Sequence, residues 1–157
     1  MKIVNLSKKL FIFIIYFLFF LINNTYSLTL EKTSITLDNP WGMSWMDENN
    51  LLITQKSGEI FNVNTNDFIK TKIDHDIPFI QHGQGGLLDI IIEKNIVWVT
   101  GSIKKKGKYT TAIFRAEFKN DKLINEKLIY EAIPYFDNGK HFGSRIEILD
   151  DYLFISI

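Results

Sequence analysis

Short apolar runs alternate with polar corners along most of the chain. Trp41-Gly42-Met43-Ser44-Trp45-Met46 leads into a polar corner, Asp47 to Asn50, and then into Leu51-Leu52-Ile53-Thr54. Two short strands joined by a tight turn are the natural reading. The same grammar returns at Gly86 to Ile92, with the corner Glu93-Lys94-Asn95 and the run Ile96 to Thr100. It returns again at Gly143 to Leu149, with the corner Asp150-Asp151 and the run Tyr152 to Ser156. The leading glycines, Gly42, Gly86 and Gly143, are 44 and 57 positions apart, a period that suits a repeat of four-stranded blades. Between these pairs, Glu59 to Val63, Phe68 to Ile73, Thr110 to Phe118 and Lys122 to Ile129 read as further strands, each bounded by turn residues. No window beyond the first 27 residues sustains a 3.6-residue apolar period, so the class predicted is all-β. A β-sandwich also spaces short strands regularly, but the threefold return of a glycine-led hairpin favours a β-propeller.

A propeller closes in a ring, because each blade buries its faces against neighbours. Residues 28–157 supply about two and a half blades, and the sequence stops in mid-strand at Phe154-Ile155-Ser156-Ile157. The expectation is a partial propeller truncated at its C-terminus, inactive alone and prone to aggregate or stay partly unfolded.

Residues 1–27 read as an export signal. Lys2, Lys8 and Lys9 precede the apolar run Leu10 to Ile22, and Thr25-Tyr26-Ser27 places small residues at a cleavage spacing. At a rise of about 1.5 Å per residue that run spans about 20 Å, short of the roughly 30 Å hydrocarbon core, so an uncleaved membrane anchor is the weaker alternative. A periplasmic or secreted protein, with no membrane contact after cleavage, is the expectation.

Charge and composition narrow the partners. Lysine plus arginine and aspartate plus glutamate both number 18; three lysines fall in the leader, leaving 15 basic against 18 acidic residues. A mildly acidic mature chain gives no reason to expect nucleic acid. The absence of cysteine excludes a disulfide framework, a thiolate metal site and a thiol nucleophile. Lys104-Lys105-Lys106-Gly107-Lys108 reads as a solvated hairpin tip. His75 and His82 lack an acidic partner at a ligand spacing and read as loop-surface residues, so no metal ligand is assigned. Trp41, Trp45 and Trp98 read as blade packing, and Asp89 as a buried polar group tying blades together.

Three segments carry a resemblance: Asn39-Pro40-Trp41-Gly42-Met43-Ser44-Trp45 with Leu51 to Thr54, then Gly83-Gln84-Gly85-Gly86-Leu87-Leu88-Asp89, then His141-Phe142-Gly143-Ser144-Arg145. With Thr110 to Ala116, they resemble the soluble quinoprotein aldose dehydrogenases, also called glucose/sorbosone dehydrogenases. The resemblance implies a six-bladed propeller holding pyrroloquinoline quinone (PQQ) near its axis, with Ca²⁺ ligands and most cationic cofactor contacts expected in later blades. It implies oxidation of an aldose sugar at C1 to a lactone and delivery of electrons to an acceptor that the sequence does not name. It places His141 as the general base and Gln84 as a cofactor-contacting amide.

The chemistry suits those residue types. Hydride departure from C1 requires loss of the C1 hydroxyl proton, and a neutral imidazole can take it at neutral pH. A glutamine amide can donate to quinone oxygens as they become negative, and Gly83, Gly85 and Gly86 let backbone approach a flat ligand. Two other readings stay open: a calcium-dependent propeller lactonase or hydrolase, and a non-catalytic propeller that binds carbohydrate or protein.

Overall fold

A computed structural model describes residues 10–13 and 28–157. Residues 10–13 are helical, and no helix among the described residues is long and apolar enough to cross a membrane. The remainder of the export-signal reading lies outside the described residues. Residues 1–32 and 33–157 are separate units, and the second carries all the strands.

Ten strands follow one another in three antiparallel meanders. β1 (Pro40–Trp45), β2 (Asn50–Gln55), β3 (Ile60–Asn64) and β4 (Lys70–Ile73) form the first sheet in that order. β5 (Leu87–Glu93), β6 (Ile96–Lys105), β7 (Lys108–Lys119) and β8 (Lys122–Glu131) form the second, and β9 (Ile146–Leu149) and β10 (Tyr152–Ile155) form a third, two-stranded sheet. The first strands of successive sheets lie side by side, β1 against β5 and β5 against β9, as in consecutive blades of a propeller. The polar corners predicted at Asp47, Lys94 and Asp150 close one end of every sheet. The connections 74–86 and 132–145, which lead into β5 and β9, therefore lie at the opposite end. The lysine run is the tip of the β6–β7 hairpin, and both strands reach further than the apolar pattern marked, because Thr110 and Thr111 are buried while the lysines beyond them pair in register.

Alternation decides which side chains pack. Leu52 and Ile60 of the first sheet face Val97, Val99, Phe114 and Ala116 of the second, in one core shared by the two sheets. Their neighbours Ile53, Phe61 and Val63 point to the other face, where Ile35 and Leu37 cover them in part. Met43 pairs with Ile53 and Trp45 with Leu51, so both stand on that second face, and both remain more than half exposed among the described residues. Trp45 is thus not packed between the first and second sheets. β5 lies between two neighbours, which explains its unbroken apolar run: Leu87, Leu88, Asp89 and Ile90 are all buried.

A hydroxyl recurs at one place in each sheet. Thr54 accepts from the Gly42 amide (2.9 Å), Thr100 from the Asp89 amide (2.9 Å) and Ser156 from the Arg145 amide (3.1 Å). Thr54 also donates to the Leu88 carbonyl, and Thr100 to the Ser144 carbonyl (3.0 Å), each in the next sheet. One side chain thereby ties its own first strand to the entry of the following one. Thr100→Val keeps the shape and removes these bonds, leaving buried backbone groups unpaired, so it should cost roughly 1–3 kcal/mol. Denaturant unfolding should show this as a lower midpoint at unchanged slope; an unchanged midpoint would contradict the tie.

Candidate functional site

The two sequence-predicted residues meet. Gln84 stands three residues before β5 and His141 five before β9, both at the end of the sheets opposite the polar corners. The Gln84 side-chain Oε1 accepts from the His141 backbone amide at 2.9 Å, and the Gln84 backbone amide donates to the Gly139 carbonyl at 2.7 Å. Of the two ends of the side-chain amide only the oxygen can accept from a main-chain N–H, so this contact fixes which way the amide points. The Gln84 NH₂ group is left as the outward donor. Both side chains are exposed, and among the described residues no hydrogen bond engages the His141 ring.

The glycines of this segment are needed for close approach between protein segments. A Cβ on Gly86 would lie 2.2 Å from the Lys56 carbonyl oxygen, and one on Gly83, where φ is +59°, 2.3 Å from the Gly139 carbonyl oxygen. The first contacts that demand glycine at Gly83 and Gly86 are thus main-chain groups of neighbouring loops, and at Gly85 they are the side chains of Ser102 and Phe142. Lys56, which the sequence reading did not weigh, donates from Nζ to the Gly83 carbonyl at 2.5 Å and holds the Gln84 loop from below.

The His141 loop is held in an uncommon backbone shape. φ is +61° at His141, +39° at Gly143 and +116° at Ser144, a region that non-glycine residues enter only when surroundings impose it. Those surroundings are polar and buried. Thr111 donates to the Phe142 carbonyl (2.9 Å), and Asp89 Oδ2 accepts from the Ile146 amide (2.9 Å). Arg145 reaches Asp89 Oδ1 at 3.4 Å. Asp89 therefore ties the second sheet to the third, as the sequence reading expected.

His82 was read as a loop-surface residue. It is exposed, yet its ring stacks on Tyr109 with centroids 4.1 Å apart and planes 6° off parallel. Nothing in the local sequence signals that contact, because it joins a loop residue to a strand residue 27 positions further on. His75 accepts at Nδ1 from the Ile77 amide (3.3 Å), so its Nε2 donates to the Gly58 carbonyl (2.7 Å); both nitrogens serve local structure. Among the described residues, no three His, Asp or Glu side chains gather as a metal site.

Beside His141 opens a groove of about 400 Å³, lined in part by Tyr109, Pro134, Phe136, Lys140 and Phe142. Next to it, Glu131 is bonded by the Tyr135 hydroxyl and by Lys105 (3.0 Å). These two donors, the hydroxyl first, hold the Glu131 carboxyl below its ordinary range. A lowered carboxylate pKa stabilises above the unfolded value, and that contribution is lost as pH falls through the folded one. The difference in thermal midpoint between the parent and Glu131→Gln should thus be present at neutral pH and fade on acidification. A difference independent of pH would contradict this arrangement.

Residues 37–157 match the family model described as Glucose / Sorbosone dehydrogenase. An uncharacterised Synechocystis protein is 31% identical, over 77% of this chain and 33% of its own length. The soluble aldose sugar dehydrogenase of Escherichia coli, solved in its apo form, superposes with a TM-score of 0.69 at 27% identity, over 77% of this chain and 38% of that one. The PQQ-bound aldose sugar dehydrogenase of Streptomyces coelicolor shares the fold at a TM-score of 0.57 and 20% identity, over 67% of this chain and 34% of that one. The chain spans about a third of the length of the curated relative it matches.

Proposed function

Because the chain belongs to the glucose/sorbosone dehydrogenase family, we propose that it forms part of the cofactor face of a PQQ-dependent enzyme that oxidises aldose sugars at C1 to lactones. The observation that carries this reading is the Gln84–His141 contact. It fixes the direction of one amide donor and brings an exposed imidazole beside it on the adjoining loop, at the end where a ligand near the propeller axis would sit.

The donor set fits the group. Gln84 would hold PQQ through its NH₂, which can donate to the electron-rich oxygens of a reduced quinone. PQQ, when bound, supplies the acceptor for two electrons. His141 takes the proton from the C1 hydroxyl oxygen as the C1–O bond gains double-bond character, which requires the ring to be neutral and within hydrogen-bond reach. Lys140, exposed and directly before it, is placed to meet an anion. The Gly83–Gly86 segment keeps the amide at fixed height against the loop of His141, so that donor and base are preorganised together. We further propose that Ca²⁺ supports the cofactor from residues outside this chain and that the protein is exported.

The test is direct. Apoprotein carrying a complete propeller, supplied with PQQ, Ca²⁺ and an aldose, should reduce an artificial dye, and omission of PQQ should abolish the signal. Sugar-independent or PQQ-independent reduction, or none with every component present, would reject the reading.

A further inference from the structure

We infer that Asp89 is a positioning residue for His141, acting through the strained loop that follows it; the inference rests on His141 being the base proposed above. The carboxylate is 4% exposed and stands on an otherwise apolar strand, where an acid is costly unless it is paired. Its partners are concentrated on one short segment. Oδ2 accepts from the Ile146 amide at 2.9 Å, and Oδ1 lies 3.4 Å from the Arg145 guanidinium. The Asp89 amide donates to Thr100, whose hydroxyl donates to the Ser144 carbonyl at 3.0 Å. Thr111 holds the Phe142 carbonyl at 2.9 Å. Three side chains of the second sheet thus grip residues 142, 144, 145 and 146 in succession.

The gripped residues include Ser144 and flank Gly143, two of the three positions of this loop with positive φ, and the third is His141 itself. A backbone in this region relaxes unless it is over-determined. On the other side, Gln84 holds the loop through the His141 main-chain amide and the Gly139 carbonyl. The imidazole height above the site is therefore set by two anchors, Gln84 before it and the Asp89 group after it. Asp89→Asn keeps the shape but offers one carbonyl oxygen to two donors, so its NH₂ must face either the Ile146 amide or the guanidinium. One anchor weakens and the loop gains freedom.

The experiment compares Asp89→Asn with the parent in the intact, PQQ-loaded protein, by steady-state kinetics and by amide hydrogen exchange over residues 141–146. Thr54→Val serves as a control that loosens the first and second sheets without touching this loop. Asp89→Asn is expected to lower kcat about tenfold with KM within about twofold, since small misplacement of a reacting group is costly, and to speed exchange at Ile146. Thr54→Val should lose stability and keep its kcat. If Asp89→Asn fails to fold, Thr111→Val, which releases only the Phe142 carbonyl, gives the same readout. Unchanged kcat and unchanged exchange in a folded variant would overturn the inference, and so would faster exchange with unchanged kcat while His141→Ala is inactive. Faster exchange in a protein whose His141→Ala form is fully active would support the anchoring and remove the base.

Discussion

His141→Ala is expected to lower kcat for aldose oxidation by about 10²–10⁴-fold, the usual scale for loss of a positioned general base, with cofactor binding retained. The separation of the two effects follows from the geometry. Gln84 is oriented by the His141 main-chain amide, which the substitution preserves, so the NH₂ proposed to hold PQQ keeps its direction. Alanine does carry a backbone cost at φ +61°, where histidine and asparagine are better tolerated. His141→Asn therefore belongs in the same experiment, since it accepts the backbone and has no basic nitrogen at neutral pH. Both variants should bind PQQ with parental affinity, read by fluorescence titration, and both should be nearly inactive in dye reduction. Full activity in either would remove His141 from the chemistry. Loss of PQQ affinity in both would show that the ring contributes to binding.

The second large effect falls on stability. Gly42→Ala places a Cβ 2.5 Å from Asp89 Oδ1, 2.6 Å from the Asp89 Cα and 3.0 Å from the Ile90 nitrogen. Two of these are main-chain atoms of the neighbouring sheet and cannot swing aside, so relief requires β1 and β5 to separate. That shift would disturb the Gly42 bond to Thr54 and the Thr54 tie to Leu88 together. Overpacking of this kind costs about 3 kcal/mol, at the upper end of the range for inserted methyl groups. Gly107→Ala is the natural comparison: φ is +84° there and nothing lies within 4 Å of the added Cβ, so only backbone strain of about 1–2 kcal/mol is expected. Denaturant unfolding of the two variants should rank them in that order. A Gly42→Ala protein as stable as Gly107→Ala would mean that the two first strands do not approach as described.

Much of this architecture can be read before any coordinates. Strand runs at Leu51–Thr54 and Ile96–Thr100 declare themselves as short apolar runs bounded by turn residues, and the corners at Asp47, Lys94 and Asp150 declare themselves through turn chemistry. The lysine run resolves into a hairpin tip for the same local reason. Trp45 does not yield to such reading: its strand position is legible, but which of two faces is covered depends on what lies beyond each sheet. The recurring hydroxyls at Thr54, Thr100 and Ser156 are visible as letters, whereas their purpose depends on carbonyls presented by another sheet.

The site divides along the same line. His141 and Gln84 are chosen by residue type and by the motifs around them, and the chemistry they offer belongs to imidazole and amide wherever they stand. That the Gln84 oxygen accepts from the His141 amide and leaves its NH₂ free to donate, that Asp89 reaches Arg145 and Ile146 at the entry of the third sheet, and that His82 lies flat on Tyr109 were decided only when the sheets packed. Sequence by itself determined the strands, their corners and the candidate residue types of the site, because each depends on neighbours within a few positions along the chain. Tertiary structure decided orientation, because a hydrogen bond between residues 57 positions apart exists only once two sheets have brought donor and acceptor within 3 Å.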